Sequence, residues 1–538
     1  MQEASGIQRR HFIASAALPL LGCAKPEDIA GGFTGLNHER GHWLTERKSW
    51  PAPTVTGKTN VLIAGGGIAG LAAARALRLK GIDDLALLEL EDSAGGNSRG
   101  GAVNGIACTL GAHYLPLPSD DAPEVQDLLE ELGLRRRVAG RWQYDERHLC
   151  HSPQERLFFN GVWQEGLLPL QGVGPATLAQ YRKMALVVDQ LRAQARWTMP
   201  ASHRPLASVQ LGLTAMTFAA YLDQQGLTDP HLRWYLDYCC RDDYGAGIGT
   251  VSAWAGIHYF ASRHGFWAPG TETQERDSVL TWPEGNAWLT RRMAAPLKER
   301  QHCARVVLRI AHVKHGVELD AFNVTTQTVE RWQAQRAVMA LPLLVAARVV
   351  QDAPDWLRQA AAQTRYAPWL VANIHVKEPL FDRPGAAPSW DNVLYGDTQT
   401  APGLGYVDAM HQSLQPLPGP TVLSYYRSLG DIPDGRRLLL EKPWSAWRDD
   451  ILAELATAHP DLPSKATRLD ITRYGHGMAI PVPRNPGDVD LLRRPDGRSG
   501  PGRTPPPRIT HERLTFAHSD WAGYSVFEEA FTLGHNAA

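Results

Sequence analysis

Asn60-Val61-Leu62-Ile63-Ala64-Gly65-Gly66-Gly67-Ile68-Ala69-Gly70 is the stretch from which the fold can be read. Residues 61–64 are apolar and partly β-branched, which predicts a buried parallel strand. The strand runs straight into G-x-G-x-x-G at Gly65, Gly67 and Gly70, and residues 71–80 then read as a helix stopped by Gly81. The three glycines have separate tasks: Gly65 allows the tight turn, Gly67 lets backbone approach a pyrophosphate, and Gly70 lets helix pack on strand. The helix start, with Ile68 and Ala69 beside the glycines, offers free N–H groups and a positive dipole end to phosphates. A second apolar run, Leu85 to Leu88, ends at Glu89, about twenty residues on, where an acid is expected to take ribose hydroxyls. The expected fold class is α/β, built on a doubly wound dinucleotide-binding domain.

The chain has 538 residues, enough for two or three domains. Its 43% hydrophobic and 21% charged residues suit a soluble globular protein, and its net charge of -1 gives no basic field for nucleic acid. We find no internal repeat and no nucleic-acid-binding motif. The 17 tryptophans read as core filling or as pocket lining. None of the six cysteines forms a C-x-x-C pair or zinc spacing, so no metal site is expected. Adjacent Cys239 and Cys240 read as buried small apolar residues rather than a vicinal disulfide.

The residues from Glu89 onward distinguish one dinucleotide from another. Glu89-Leu90-Glu91-Asp92-Ser93-Ala94-Gly95-Gly96-Asn97-Ser98-Arg99 resembles the E-x(5)-G-G-R-x-x-S extension of the flavin amine oxidase superfamily, which includes protoporphyrinogen oxidases and phytoene desaturases. The resemblance implies FAD, with Gly95, Gly96 and a cation wrapping the pyrophosphate. Asn97 stands where the family usually has Arg, and Arg99 is the expected substitute cation. Gly111-Ala112-His113-Tyr114 comes at the distance of the family's glycine-led flavin loop, with His113 either facing the flavin or a plain loop histidine.

Two distant segments continue the resemblance. Thr281-Trp282-Pro283-Glu284-Gly285-Asn286 precedes an expected helix over 287–300, then a strand pair, 306–310 and 316–319, in which Val307 and Ile310 fit the family's V-x-x-I adenine contact. A further strand is expected over 334–341. Near the C-terminus, Phe516-Ala517-His518-Ser519-Asp520 leads to Gly523 and to Ser525-Val526-Phe527-Glu528-Glu529-Ala530, similar to the family's F-A-G-D…G-x-x-E-G-A ending. The resemblance implies that Asp520 holds the ribityl or phosphate region. It also implies that a helix starting near Ser525 and Val526 aims its dipole at the flavin, favouring the reduced form. The implied organisation is an FAD domain of three separated segments, 57–115, 281–345 and 470–538, with an α+β substrate domain over 116–280 and 346–469. The first substrate segment carries expected helices over 125–134, 176–197 and 206–225. The Pro-, Arg- and Gly-rich stretch 483–508 reads as a long surface loop.

The N-terminus reads as an address. Arg9-Arg10-His11-Phe12-Ile13, a short apolar run and Leu20-Leu21-Gly22-Cys23 resemble a twin-arginine signal with a lipobox. That pathway exports folded proteins, so FAD would be inserted before export. Residues 1–23 would be the signal segment, a lipidated Cys23 would anchor the protein to the membrane on the periplasmic side, and 24–56 would be a tether or surface-packed arm. The other readings are an ordinary amphipathic helix and a plain buried cysteine.

The superfamily's shared step is hydride transfer from a C–H bond to flavin N5. Amine oxidases of the family usually place a lysine on the strand corresponding to Trp369–Val376. Here Lys377 falls late and reads as an exposed strand-end residue, which leaves Asn373 as the candidate for that place. Where the family has a cage tryptophan, Tyr474 and His476 are the candidates to face the flavin, or are ordinary packing residues. Three functions remain open: an oxidase of amines or amino acids, a dehydrogenase or desaturase passing electrons to a quinone or other acceptor, and a non-catalytic FAD-binding assembly protein.

Overall fold

A computed structural model describes residues 29–47, 49–263, 265–269, 278–396, 402–485, 487–488 and 508–538. The signal segment, the lipidation reading at Cys23 and most of the 483–508 loop lie outside them.

Val61–Ala64 is buried along its whole length because it is central in a six-stranded sheet. The order is Gln301–His302, Leu85–Leu88, Val61–Ala64, Arg336–Met339, Leu514–Phe516, Ile509–His511. All pairings are parallel except the final hairpin. The two faces of the central strand divide as the strand period requires. Val61 and Ile63 pack on helices Ile68–Leu79 and Phe527–Ala537, whereas Leu62 and Ala64 pack toward the four-stranded sheet of Arg305–Val313, Gly316–Asn323, Thr328–Ala334 and Val55–Lys58. The two helices meet where Gly534 has no side chain: a Cβ there would run into the Ala69 carbonyl.

An eight-stranded sheet forms the second body, in the order Ala30–Thr34, Ala466–Ile480, Arg365–Val376, Thr421–Ser428, Tyr406–Asp408, Asp391–Leu394, Glu155–Phe159, Val162–Glu165. Trp369, Val371 and Tyr474 look to a core shared with the helices between residues 175 and 261, while Leu370, Ala372 and Ile374 look to helix Trp444–Ala456.

Several sequence expectations shift. The strand expected over 334–341 is split at Gln335, with Thr328–Ala334 in the four-stranded sheet and Arg336–Met339 in the six-stranded one. The 206–225 helix is two, Ser208–Thr214 and Phe218–Gln224, because Thr217 caps the second by accepting the Ala220 N–H. The 287–300 helix is α-helical only to Ala294 and continues as a 3-10 helix from Ala295, where Pro296 removes a donor. Residues 470–480 belong to the long strand of the eight-stranded sheet, paired with Arg365–Val376. The five described cysteines are free, and no described helix is long and apolar enough to cross a membrane.

Candidate active site

A cavity of about 480 Å³ runs between the two large sheets. Its first end is built by the glycine turn. Gly65 adopts φ 102°, open to glycine at little cost, and a Cβ there would also strike the Ala340 carbonyl. A Cβ on Gly70 would run into the Gly65 carbonyl. Gly67 differs: it lines the cavity, and its absent Cβ would meet only the Gly96 Cα, 3.7 Å away. The space in front of Gly67 is therefore reserved for something other than protein, and a backbone cradle at a helix N-terminus suits a pyrophosphate. Ile68 and Ala69 line the same end.

Glu89 stands on the neighbouring strand end, buried but still lining the cavity. Its carboxylate accepts the N–H groups of Gly66 at 2.7 Å and Glu91 at 2.9 Å. Burial pushes the Glu89 carboxyl above its ordinary range, against the pull of these two N–H groups. Val307 lines this end, beside Arg305, which is paired with Glu330 at 3.0 Å.

The loop after Glu89 divides its predicted contacts. Gly95 donates its N–H to Gly66 O at 2.8 Å, which ties the loop to the turn, and Gly96 lines the cavity. Asn97 also lines the cavity and donates from Nδ2 to Gly477 O at 2.5 Å. Arg99 does not line it. Its carbonyl is committed to Leu110 N–H and its Nη2 donates to Ser93 Oγ, so Asn97 holds the cavity-facing place and the expected cation is not supplied there.

Gly111, Ala112 and His113 line the cavity together with Trp369 and Val371 of the strand Arg365–Val376. The Gly111 carbonyl accepts Tyr426 OH at 3.0 Å, and Leu110 O accepts Tyr474 OH at 2.8 Å. Tyr474 is thus a wall with its hydroxyl already engaged. His113 packs with its ring centre 4.4 Å from that of Tyr426, and burial pushes its imidazole down to about 3. His476 lines the cavity edge-on to Tyr366 at 5.5 Å. Burial, helped by Arg436 and His42, pushes it down to about 4. Both histidines are neutral at physiological pH.

Asp520 is 1% exposed. Its Oδ2 accepts Leu343 N–H at 2.9 Å and Tyr366 OH at 2.6 Å, and Oδ1 sits 3.1 Å from His518 Nδ1. Burial pulls this carboxyl upward, but His518, Tyr366 and Leu343 outweigh it and hold the group below its usual range. Ser525 Oγ accepts Ala479 N–H at 3.0 Å, and Val526 caps the helix Phe527–Ala537, whose first turn opens into the cavity.

Asn373 is brought elsewhere. It is fully buried, donates to Thr109 O at 2.9 Å, accepts from Ser424 Oγ at 2.6 Å, and does not line the cavity. The residues of the strand Arg365–Val376 that do are Tyr366, Trp369 and Val371. Lys377 is exposed at the strand end. No lysine lines the cavity among the described residues.

The far wall is made by Tyr114, Asp242, Asp243, Arg263 and Glu528, of which only Tyr114 and Glu528 fall within motifs singled out in the sequence. Arg263 is spent on Asp243, at 3.1 and 3.2 Å, and on Tyr259 O at 3.0 Å. Among the described residues neither Asp242 nor Glu528 forms an ion pair, although Arg263 draws both carboxyls downward from a distance. Burial pushes both carboxyls up to about 7, with Asp243 adding to the shift at Asp242. Glu528 is 4% exposed and takes a hydrogen bond from its own N–H. Adjacent acids closing a helix otherwise rich in aromatic and cysteine residues, Pro230–Tyr244, were the available signal.

Residues 68–538 match the profile of the family described as flavin containing amine oxidoreductase. No curated protein matches in sequence. Among solved structures, a putrescine oxidase double mutant superposes with a TM-score of 0.64 at 19% identity, covering 89% of this chain and 98% of that one. Cyclohexylamine oxidase from Brevibacterium oxydans IH-35A gives 0.62 at 19% identity, over 89% and 97%. A CLA-producing fatty acid isomerase from P. acnes gives 0.63 at 16%, over the same shares. At these identities the likeness is one of fold.

Proposed function

Since the chain belongs to the flavin-containing amine oxidoreductase family and is an FAD-dependent oxidoreductase, we propose that it oxidises amines that arrive as ammonium ions. The observation that carries this reading is the pair of carboxyls, Asp242 and Glu528, which line the cavity wall and form no ion pair among the described residues. With Arg263 committed to Asp243, the wall offers acceptors to a cation and, among the described residues, no free cation to a carboxylate. It therefore favours simple amines over amino acids.

The residues that would hold FAD are Gly65, Gly67, Ile68 and Ala69 at the pyrophosphate, Glu89 and Val307 toward the adenosine, and Asp520, Ser525 and Val526 toward the flavin. Bound FAD supplies the acceptor for a hydride from the carbon next to nitrogen. Tyr426, Trp369 and Tyr474 line the cavity with rings, which exclude water and favour a cation over their faces. His113 and His476, both neutral, add no repulsion. The ammonium must lose a proton before its C–H bond can react, and burial raises the proton affinity of the Asp242 and Glu528 carboxylates that would take it.

The fold neighbours named for putrescine and cyclohexylamine oxidation agree with an amine substrate. The twin-arginine and lipobox pattern ending at Cys23 favours a membrane-tethered protein on the periplasmic side, for which a quinone is the natural second substrate. The test is anaerobic bleaching of the bound flavin by a panel of amines, amino acids and quinols, then reoxidation with oxygen or a soluble quinone. Bleaching by amines alone supports the reading. Bleaching only by non-amine C–H donors overturns it, and bleaching by none favours the non-catalytic assembly role. Peroxide on reoxidation identifies an oxidase; quinone reduction without peroxide identifies a dehydrogenase.

A further inference from the structure

Residues 29–47 precede the segment matched by the family profile, yet they touch the nucleotide end of the cavity. Ala30–Thr34 pairs in parallel with the strand Ala466–Ile480, at the edge of the eight-stranded sheet. The chain then crosses to the loop that carries Glu89. Asn37 donates from its backbone N–H to Glu91 Oε1 at 3.0 Å and from Nδ2 to Glu91 Oε2 at 2.6 Å. Arg40 Nη1 donates to Leu90 O at 3.1 Å and to Asp92 Oδ1 at 2.7 Å. Glu91 in turn donates its N–H to Glu89 Oε1.

The next helix, His38–Glu46, has nine residues, no fully buried side chain and no side-chain cap. A helix this short is unstable alone, so its position depends on what it is tied to. One tie is the polar set above. The other is aromatic: Trp43 packs on Phe322 at 5.8 Å, and Arg47 sits 4.0 Å over the Trp43 ring. Between these ties Leu44 reaches the cavity wall, packed with Leu90, Val306 and Phe322, while its carbonyl accepts Arg348 Nη1 at 3.2 Å. Leu90, Val306 and Val307 line the same end.

We propose that residues 29–47 form a clasp over the adenosine half of FAD, with Leu44 as its contact and Asn37 and Arg40 as its fastenings. The clasp holds the cofactor by its nucleotide end, where Leu44 sits. Release of FAD then requires the arm to undock, breaking the bonds to Glu91, Leu90 and Asp92.

The test uses purified holoprotein of the full chain, wild type against Asn37→Ala/Arg40→Ala and against Leu44→Ser. Free-flavin fluorescence after dilution reads the rate of FAD release, and the visible flavin spectrum reads the surroundings of the ring. Release about ten-fold faster, the effect of losing bonds of this kind, with an unchanged flavin spectrum is the expected result. Wild-type release rates in both variants overturn the proposal. So does faster release accompanied by a shifted flavin spectrum, which marks loosening of the whole site. If the double variant does not fold, Leu44→Ser decides alone, because that side chain makes none of the fastening bonds.

Discussion

Glu89 closes the glycine turn by accepting the Gly66 N–H at 2.7 Å, so one carboxylate both fixes the turn and borders the adenosine end of the cavity. A Cβ at Gly66 would stand 2.9 Å from the same carboxylate oxygen. The second glycine of the run thus has its own steric reason, separate from those of its neighbours.

The glycines of the turn differ in what a side chain would cost. Gly67 has φ -72°, which any residue adopts, and faces the cavity. Gly67→Val is expected to abolish FAD uptake while the apoprotein melts near the wild-type temperature. Gly70→Ala is expected to destabilise the fold by about 1–3 kcal/mol, because backbone meets its Cβ. Visible absorbance and thermal melting of the two variants check both outcomes.

Asn373 has its side chain committed to Thr109 and Ser424, away from the cavity. Replacing it with alanine leaves the Thr109 carbonyl and the Ser424 hydroxyl without their buried partner. We expect a loss of about 1–3 kcal/mol in denaturant unfolding. The rate of flavin reduction by amine in the folded protein should stay near wild type. A large fall in that rate with unaltered stability would return Asn373 to the catalytic set.

Asp242→Asn and Glu528→Gln are expected each to raise KM for amines by about ten-fold or more, since a charge-assisted hydrogen bond is lost. Amine affinity of the wild type should rise as pH passes about 7, where both carboxyls ionise. A pH-independent KM over that range would count against their role.

The same groups set a trend in stability. Glu528 is raised in the folded protein from an ordinary 4.5 to about 7, so the folded state favours its protonated form. This contribution is present at low pH and is lost as pH rises from 4.5 through about 7. Apoprotein carrying Glu528→Gln should show a flatter decline in melting temperature over that window. Asp520 has the opposite sign. Its lowered carboxyl adds stability above its ordinary range that is lost on acidification, and Asp520→Ala is expected to remove it along with the partner of Leu343 N–H.

The nucleotide turn, the strand at Val61–Ala64 and Glu89 were legible because each depends on local chemistry: glycine where backbone needs room, apolar residues at strand period, an acid at a fixed distance. Val307 and Asp520 were legible through resemblance, since their motifs keep order along the chain. Arg99 and Asn373 were not, because a charge two residues late or an amide on the expected strand says nothing about which way the fold turns it. The carboxyl pair Asp242 and Glu528 lies 286 positions apart and had no sequence link at all.

By itself, then, the sequence determined the α/β nucleotide fold, which is written in short runs whose spacing obeys backbone geometry, and its resemblance to one superfamily supplied the cofactor class. Tertiary structure alone decided what faces the cavity: it buried Asn373 against Thr109, spent Arg263 on Asp243, and left Asp242 and Glu528 without an ion pair among the described residues. Those outcomes depend on which distant segments meet and on which charges burial leaves unpaired, and no single stretch of chain carries that information.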